Sequence, residues 1–239
     1  LRIGILPVYN EASGLPRVLP ELAPYFQLLI VIDDGSTDAS SQWLKDWAKG
    51  RENTFLISLP KNSGKARALL AGFNQVLELK NNGQIPPDAL VFTTDADGQI
   101  PAKIIPIAEL KIKQKKFDLL IGRRDFSLYP LYKILGNRLL TLNASRISGF
   151  PYQDSECGFR VFTLPAIEKL LPCLKGERYG LEQEIAALAP RMGLKVSNDL
   201  PVKPVFYRSN TKIKDFIANL VTGWRASTRN PKLKEGKPQ

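Results

Sequence analysis

The sequence predicts an α/β protein, a mostly parallel central sheet flanked by helices. Three observations predict this class. Apolar runs of strand length are continuous rather than alternating, which suits strands covered on both faces. Helix-length amphipathic stretches separate those runs. Polar side chains capable of chemistry collect where each run ends, and in open α/β sheets ligands bind along that carboxyl edge.

The first run, Ile3 to Leu6, leads into Pro7-Val8-Tyr9-Asn10-Glu11, with a helix expected over 13–24. Leu28 to Ile32 ends in Asp33-Asp34-Gly35-Ser36, and Ser36, Thr37 and Asp38 are N-cap residue types that open a helix over 37–49. Thr54 to Leu59 is followed by Lys61-Asn62-Ser63-Gly64-Lys65 and a helix over 64–80. Ala89 to Thr93 runs into Asp95-Ala96-Asp97-Gly98-Gln99, after which Pro101 starts a helix over 102–115. Leu119 to Gly122 ends in Arg123-Arg124. Five polar clusters at five strand ends predict one composite site.

Two later segments are amphipathic. Leu128 to Ile147 is apolar but punctuated by Lys133, Arg138 and Arg146. From Ile213, the residues Ile213, Phe216, Ile217, Leu220, Val221 and Trp224 recur at helical spacing, with Lys212, Lys214 and Arg225 near that face. Such helices suit a bilayer interface, or packing on the domain's own core or on a partner subunit. A single domain over 1–227 is expected, ending in the amphipathic helix over about 213–227, followed by a basic, disordered tail over 228–239.

Composition narrows the function classes. The 239 residues are 44% hydrophobic and 24% charged, enough for one substantial core. The longest uninterrupted apolar run, Leu28 to Ile32, is far short of the roughly 18 residues of a membrane span. The sequence opens directly into a strand-like run, without the charged and apolar regions of a signal peptide. There is no histidine, which excludes imidazole bases, Ser-His nucleophiles and His-ligated zinc. Cys157 and Cys173 form neither a disulfide framework nor a zinc spacing, so buried thiols in a reducing, cytoplasmic compartment are expected. The net charge of +11 is uneven: residues 1–120 carry 14 Lys/Arg against 13 Asp/Glu, and 121–239 carry 20 against 10. The second half therefore suits phosphates, nucleic acid or an acidic membrane surface, or is a solvated basic face.

Asp95-x-Asp97 is the sharpest motif. Two carboxylates after a strand, with Gly98 permitting a tight turn, suit a Mg²⁺ or Mn²⁺ ion that also grips a diphosphate; the plainer alternative is a solvated, helix-capping turn. Asp33-Asp34 can cap the following helix or hydrogen-bond a base or ribose, a role assigned to Asp34. Asn62-Ser63-Gly64-Lys65 is not an NTP-hydrolysing P-loop, because Leu59 stands where the first Gly would and Ala66 where the metal-binding Ser/Thr would. Lys65 can still reach nucleotide phosphates or be a surface lysine at a helix start.

Pro-Val-Tyr-Asn-Glu (7–11), Asp-Asp-Gly-Ser (33–36), Asn-x-Gly-Lys (62–65), Asp-Ala-Asp-Gly-Gln (95–99), Gly-Arg-Arg (122–124), Leu-Gly-Asn (135–137) and Asp-Ser-Glu-Cys-Gly-Phe-Arg (154–160) occur in this order. Together they resemble family 2 glycosyltransferases of GT-A fold, and most the dolichol-phosphate mannosyltransferase and polyprenyl-phosphate glycosyltransferase branch, over about residues 1–212. The resemblance implies a nucleotide diphosphate sugar donor, GDP-mannose or UDP-glucose. It implies nucleotide-sugar contacts from Pro7, Tyr9, Asn10, Glu11, Asp34, Lys65, Asp95 and Ala96, and a metal held by Asp95, Asp97 and Gln99. Asp97, Arg124 and Asp154 are its catalytic candidates, with a polyprenyl phosphate held by Arg123, Arg124, Lys133, Arg138, Arg208 and Lys212. A phosphate acceptor is already anionic near neutrality, its second pKa being about 6, so no base is needed. A sugar-hydroxyl acceptor instead requires a carboxylate base, for which Asp154, Glu182 and Glu184 are the candidates. The setting implied is peripheral, on the cytoplasmic membrane face. A nucleic-acid-binding module would explain the basic half but not the acidic clusters at strand ends, which repel phosphates unless a metal intervenes. A nucleotidyltransferase would carry a Gly-rich phosphate loop early, which Pro7 to Gly14 does not supply.

Overall fold

A computed structural model describes residues 1–176, 180–206 and 213–228. The chain runs β1 (Arg2–Val8), α1 (Leu15–Leu22), β2 (Leu28–Asp33), α2 (Ser40–Ala48), β3 (Thr54–Ser58), α3 (Lys65–Asn81), β4 (Leu90–Thr93) and α4 (Ile104–Lys115). It continues with β5 (Leu119–Arg124), α5 (Leu131–Ser148), β6 (Arg160–Thr163), α6 (Leu164–Leu170), α7 (Leu181–Leu188), β7 (Val196–Val202) and α8 (Ile213–Ser227). One seven-stranded sheet has the order β3-β2-β1-β4-β6-β5-β7.

The continuous apolar runs behave as expected. Ile3, Ile5, Leu6, Ile30, Ile32, Val91, Phe92, Leu119, Leu120 and Ile121 are all buried, because helices cover both sheet faces. β1 to β4 pair in parallel, and so do β5 and β7. β6 is the exception: it runs antiparallel to both β4 and β5, between two strands that the sequence pattern alone would place side by side. This insertion carries the 154–160 segment across the carboxyl ends of β4 and β5. The parallel strand ends and the turn into β6 thus meet on one edge.

α8 packs on α5 and α7 through the buried Asn219, Thr222 and Ala226. The buried side of α8 lies opposite the expected apolar face, whose described members Val221 and Trp224 stay exposed. Arg208, Lys212, the side chains at 213–217 and 220, and residues 229–239 of the basic tail lie outside the described set. Among the described residues no helix is long and apolar enough to cross a membrane.

Candidate active site

Asn10 adopts φ 54°, an αL conformation that Asn tolerates, after β1. Its Oδ1 accepts the amides of Thr37 (2.8 Å) and Asp38 (3.3 Å), while its own amide donates to Ser36 Oγ (3.1 Å). Asn10 thus ties the loop after β1 to the turn after β2. The buried Glu11 donates its amide to Ser40 Oγ at 2.9 Å, and Tyr9 stands exposed beside it. Pro7 is half-buried and Ala96 buried. Asp33 accepts the Ser36 amide and the Ser41 hydroxyl and so closes the turn after β2, while α2 starts behind Ala39 without a side-chain cap. Asp34 accepts the amides of Ser63 and Gly64, both at 2.8 Å, and so pulls the loop after β3 onto this edge. Burial, and then the neighbouring Asp33, push its carboxyl above the ordinary range. Two amides do not exhaust the acceptor sites of a carboxylate, so Asp34 retains capacity for a ligand donor.

The acidic turn after β4 is held by its own residues. Gly98 adopts φ +72°, a conformation L side chains rarely adopt. Asp97 Oδ1 accepts the Gln99 amide at 3.0 Å, and Oδ2 accepts the Gln99 side-chain amide. The Gln99 carbonyl accepts the Val205 amide at 2.9 Å, fastening the segment after β7 to the turn. Burial and then the Asp95 charge push the Asp97 carboxyl upward.

Lys65 supplies the compensating charge. Placed at the start of α3, its Nζ lies 2.5 Å from Asp95 Oδ1 and 3.0 Å from Glu182 Oε1 of α7. Burial would lower its pKa, but the two carboxylates outweigh burial and raise it, so the ammonium stays charged. Gly158 keeps this corner open: a Cβ there would lie 2.5 Å from Asp95 Oδ2 and 2.9 Å from Lys65 Nζ. Oxygen donors at Asp95, Asp97 and Gln99 are chemically suited to Mg²⁺ or Mn²⁺. Among the described residues no three His, Cys, Asp or Glu side chains form a metal-binding group.

At the other end of the edge, Arg124 and Asp154 form a bidentate pair, Nε–Oδ2 at 2.7 Å and Nη2–Oδ1 at 2.8 Å. Asp154 is fully buried and also accepts the amides of Arg124 (3.1 Å) and Glu156 (3.2 Å) and the side-chain amide of Asn137 (3.1 Å). Burial alone would raise its pKa; Arg124 and these donors prevail and hold it low. The Arg124 guanidinium also faces the rings of Phe126 and Tyr129, 5.4 and 5.9 Å from their centroids. Asn198 of β7 accepts the amides of Gln153 and Asp154, both at 2.7 Å, and donates to the carbonyls of Gly122 (2.9 Å) and Asp154 (3.1 Å). Arg123 donates to Gln153, Lys133 is half-buried near the Tyr132 ring, and Arg138 is exposed on α5.

These contacts occupy two of the candidate bases. Asp154 has no exposed surface and is paired with Arg124. Glu184 is also fully buried, with Oε2 accepting the amides of Lys175 (2.9 Å) and Gly176 (3.1 Å). Glu182 is the remaining member of the trio, ion-paired to Lys65. The structure adds Gly158, Asn137, Asn198 and Glu156. Asn137 and Glu156 stood within quoted motifs without a role, and Asn198 carried only the faint signal of an Asn inside a strand. Arg160, also buried, donates to the carbonyls of Ser155 (2.7 Å), Cys157 (3.0 Å) and Glu182 (3.2 Å), holding the turn against α7. Burial pushes the Cys157 thiol up to about 12, in line with an inert, buried cysteine.

The sequence model of glycosyl transferase family 2 matches residues 5–168. The chain is 29% identical over 219 residues to dolichyl-phosphate beta-glucosyltransferase ALG5A of Trichomonas vaginalis, covering 83% of this chain and 64% of that protein. It is 32% identical over 176 residues to undecaprenyl-phosphate 4-deoxy-4-formamido-L-arabinose transferase of Photorhabdus laumondii, covering 71% and 51%. The chain thus spans between half and two thirds of the length of these two relatives. Glucosyl-3-phosphoglycerate synthase of Mycobacterium tuberculosis, solved with Mn²⁺, UDP-glucose and phosphoglyceric acid, superposes with a TM-score of 0.66 at 17% identity, covering 94% of this chain and 77% of that one. That likeness shows a shared fold, which is GT-A.

Proposed function

Since the chain belongs to glycosyl transferase family 2, we propose that it transfers a hexose from a nucleotide diphosphate sugar to a polyprenyl phosphate. The observation that carries this reading is the Arg124–Asp154 pair on the same sheet edge as the Lys65–Asp95–Asp97 corner. One end offers a fixed guanidinium for an anionic acceptor, and the other an acidic corner for a divalent ion and diphosphate. The two relatives named above, whose names specify dolichyl and undecaprenyl phosphate, support the acceptor class.

Asp95, Asp97 and Gln99 would hold Mg²⁺ or Mn²⁺, whose chemistry is Lewis-acid stabilisation of the departing diphosphate. The post-β1 and post-β2 loops, cross-linked by Asn10, present Tyr9, Glu11 and Asp34 toward a nucleoside. Lys65 is placed to exchange part of its pairing with Asp95 and Glu182 for donor phosphate oxygens. Arg124, its guanidinium plane fixed by Asp154, orients the acceptor phosphate. The acceptor oxygen forms a bond to the anomeric carbon as the carbon–oxygen bond to the diphosphate breaks. The electron pair of the broken bond leaves with the nucleoside diphosphate, and one in-line displacement inverts the anomeric centre. No proton is removed from the acceptor, consistent with Asp154 and Glu184 being committed elsewhere. GDP-mannose and UDP-glucose both fit as donors. The polyprenyl acceptor puts the protein to work as a peripheral protein on the cytoplasmic membrane face.

The test is incubation with nucleotide sugars, Mn²⁺ and a polyprenyl phosphate, followed by mass spectrometry of the lipid. A glycosylated lipid phosphate is expected. Transfer to a glycan hydroxyl with the lipid phosphate unchanged contradicts the reading.

A further inference from the structure

β7 breaks step where it passes the acceptor end of the site. Against β5 it pairs Ser197 with Leu120 and Leu200 with Gly122, so Asn198 and Asp199 together stand opposite the single Ile121. This is a β-bulge, which interrupts the ladder and re-aims a side chain. Asp199 faces solvent, where it pairs with Lys111 at 2.9 Å. Asn198 faces inward and is 4% exposed.

The inward amide is used on both its atoms. Oδ1 accepts the amides of Gln153 and Asp154, both at 2.7 Å, and Nδ2 donates to the carbonyls of Ile121 (3.3 Å), Gly122 (2.9 Å) and Asp154 (3.1 Å). Asp has no N–H to donate, and Ser and Thr carry one polar atom where Asn carries two. The two amides on Oδ1 belong to the anchors of two arginines: the Gln153 side chain accepts from Arg123, and the Asp154 carboxylate accepts from Arg124. The Ile121 and Gly122 carbonyls on Nδ2 belong to the strand just before those arginines. The β5–β6 register ends at Ile121 opposite Arg160. Beyond that pair, Asn198 braces the turn that carries the anchors against the strand that carries the arginines.

We propose that Asn198 is a positioning residue for the acceptor step: through Asp154 and Gln153 it sets the Arg124 guanidinium, with Arg123 beside it, where the acceptor phosphate binds. Asn198 itself touches no substrate. Naming the anion as a polyprenyl phosphate rests on the proposed function, whereas the brace rests on the hydrogen bonds alone. Loss of the amide leaves buried backbone groups unpaired on both the strand and the turn, and lets the two drift apart. The effect falls on the acceptor end because the donor corner, at Lys65, Asp95 and Asp97, makes none of these bonds.

The test compares Asn198→Ser and Asn198→Thr with Asp199→Asn, a control in the same bulge whose side chain faces solvent. Two Asn198 variants are made so that a folding failure of one leaves the other, and each is assayed below its own melting temperature. The first readout is hydrogen exchange at the Arg124 Nε–H, followed by nitrogen-15 NMR and identified by its absence from Arg124→Lys. Its exchange should quicken about tenfold or more in the Asn198 variants. The second is transfer to a water-soluble short-chain prenyl phosphate, with nucleotide-sugar binding measured by calorimetry. The acceptor KM should rise about tenfold or more while the donor Kd stays at the parent value. Asp199→Asn should match the parent in both readouts. Parent-like exchange in the Asn198 variants overturns the proposal. So does an unchanged acceptor KM, or a loss shared equally by donor and acceptor. If exchange quickens but the parent glycosylates no prenyl phosphate, the brace stands and the acceptor reading falls.

Discussion

The Arg124 guanidinium meets the Asp154 carboxylate edge to edge, with two parallel hydrogen bonds of 2.7 and 2.8 Å, and Asp154 has no solvent exposure. Replacing Asp154 with Asn keeps the shape but removes the charge that fixes Arg124. Breaking a buried pair from one side costs about 3 kcal/mol, so Asp154→Asn should melt well below the parent. The specific effect is expected on the acceptor: kcat/KM for the lipid phosphate should fall about 100-fold while nucleotide-sugar binding by calorimetry is unchanged. Equal losses for donor and acceptor would contradict the assignment.

Lys65 neutralises two carboxylates from different elements. Lys65→Met leaves Asp95 and Glu182 facing each other without a cation, at a cost of about 2–4 kcal/mol. If the corner takes a divalent ion as proposed, only the folded state offers it, and millimolar Mn²⁺ should raise the melting temperature of this variant more than that of the parent. Thermal unfolding with EDTA or Mn²⁺ checks it.

Gly158→Ala tests the space beside the acidic corner. The new Cβ would contact Asp95 Oδ2 and Lys65 Nζ at 2.5 and 2.9 Å, so both must shift. A misplacement of this kind at a reacting centre costs about 10- to 100-fold in turnover. The fold should survive, with parent-like circular dichroism and slower sugar transfer.

Glu156 makes stability pH-dependent. It accepts from Gln183 at 2.6 Å and Asn219 at 3.2 Å, and burial followed by the Glu182 charge pushes its carboxyl from 4.5 up to about 7. The folded state therefore holds this proton more tightly than the unfolded chain, and the group's contribution to stability declines as pH climbs from 4.5 through 7. Glu156→Gln removes the titration. Relative to the parent it should gain about 2–3 kcal/mol between pH 5 and pH 8, read from denaturant unfolding at each pH.

The first five strands were legible because covered parallel strands are continuously apolar, and the polar clusters at their ends marked the site edge. β6 was not legible: Arg160–Thr163 is only four residues long and adjoins a motif whose Asp, Glu, Cys and Gly read as chemistry. β7 was obscured by Asn198, Asp199 and Pro201, yet Asn198 lies inside because it pairs with the backbone of both β5 and the Asp154 turn. Charge type identified Arg124 and the acidic pair, but not their partners. That Asp154 anchors Arg124, and that Lys65 reaches Glu182 across 117 residues of chain, depends on the antiparallel β6 bringing the turn and α7 together.

The central claim is that the Asp95–Asp97 corner supports departure of a nucleoside diphosphate as sugar passes to a lipid phosphate. The direct measurement is the initial rate of glycolipid formation by the parent and by Asp97→Ala, in Mn²⁺, in EDTA, and in EDTA with Mn²⁺ restored. The account predicts loss of turnover in EDTA, recovery with Mn²⁺, and a variant slower by about 100-fold or more under every condition. Undiminished turnover in EDTA, or an Asp97→Ala variant as fast as the parent, would contradict it.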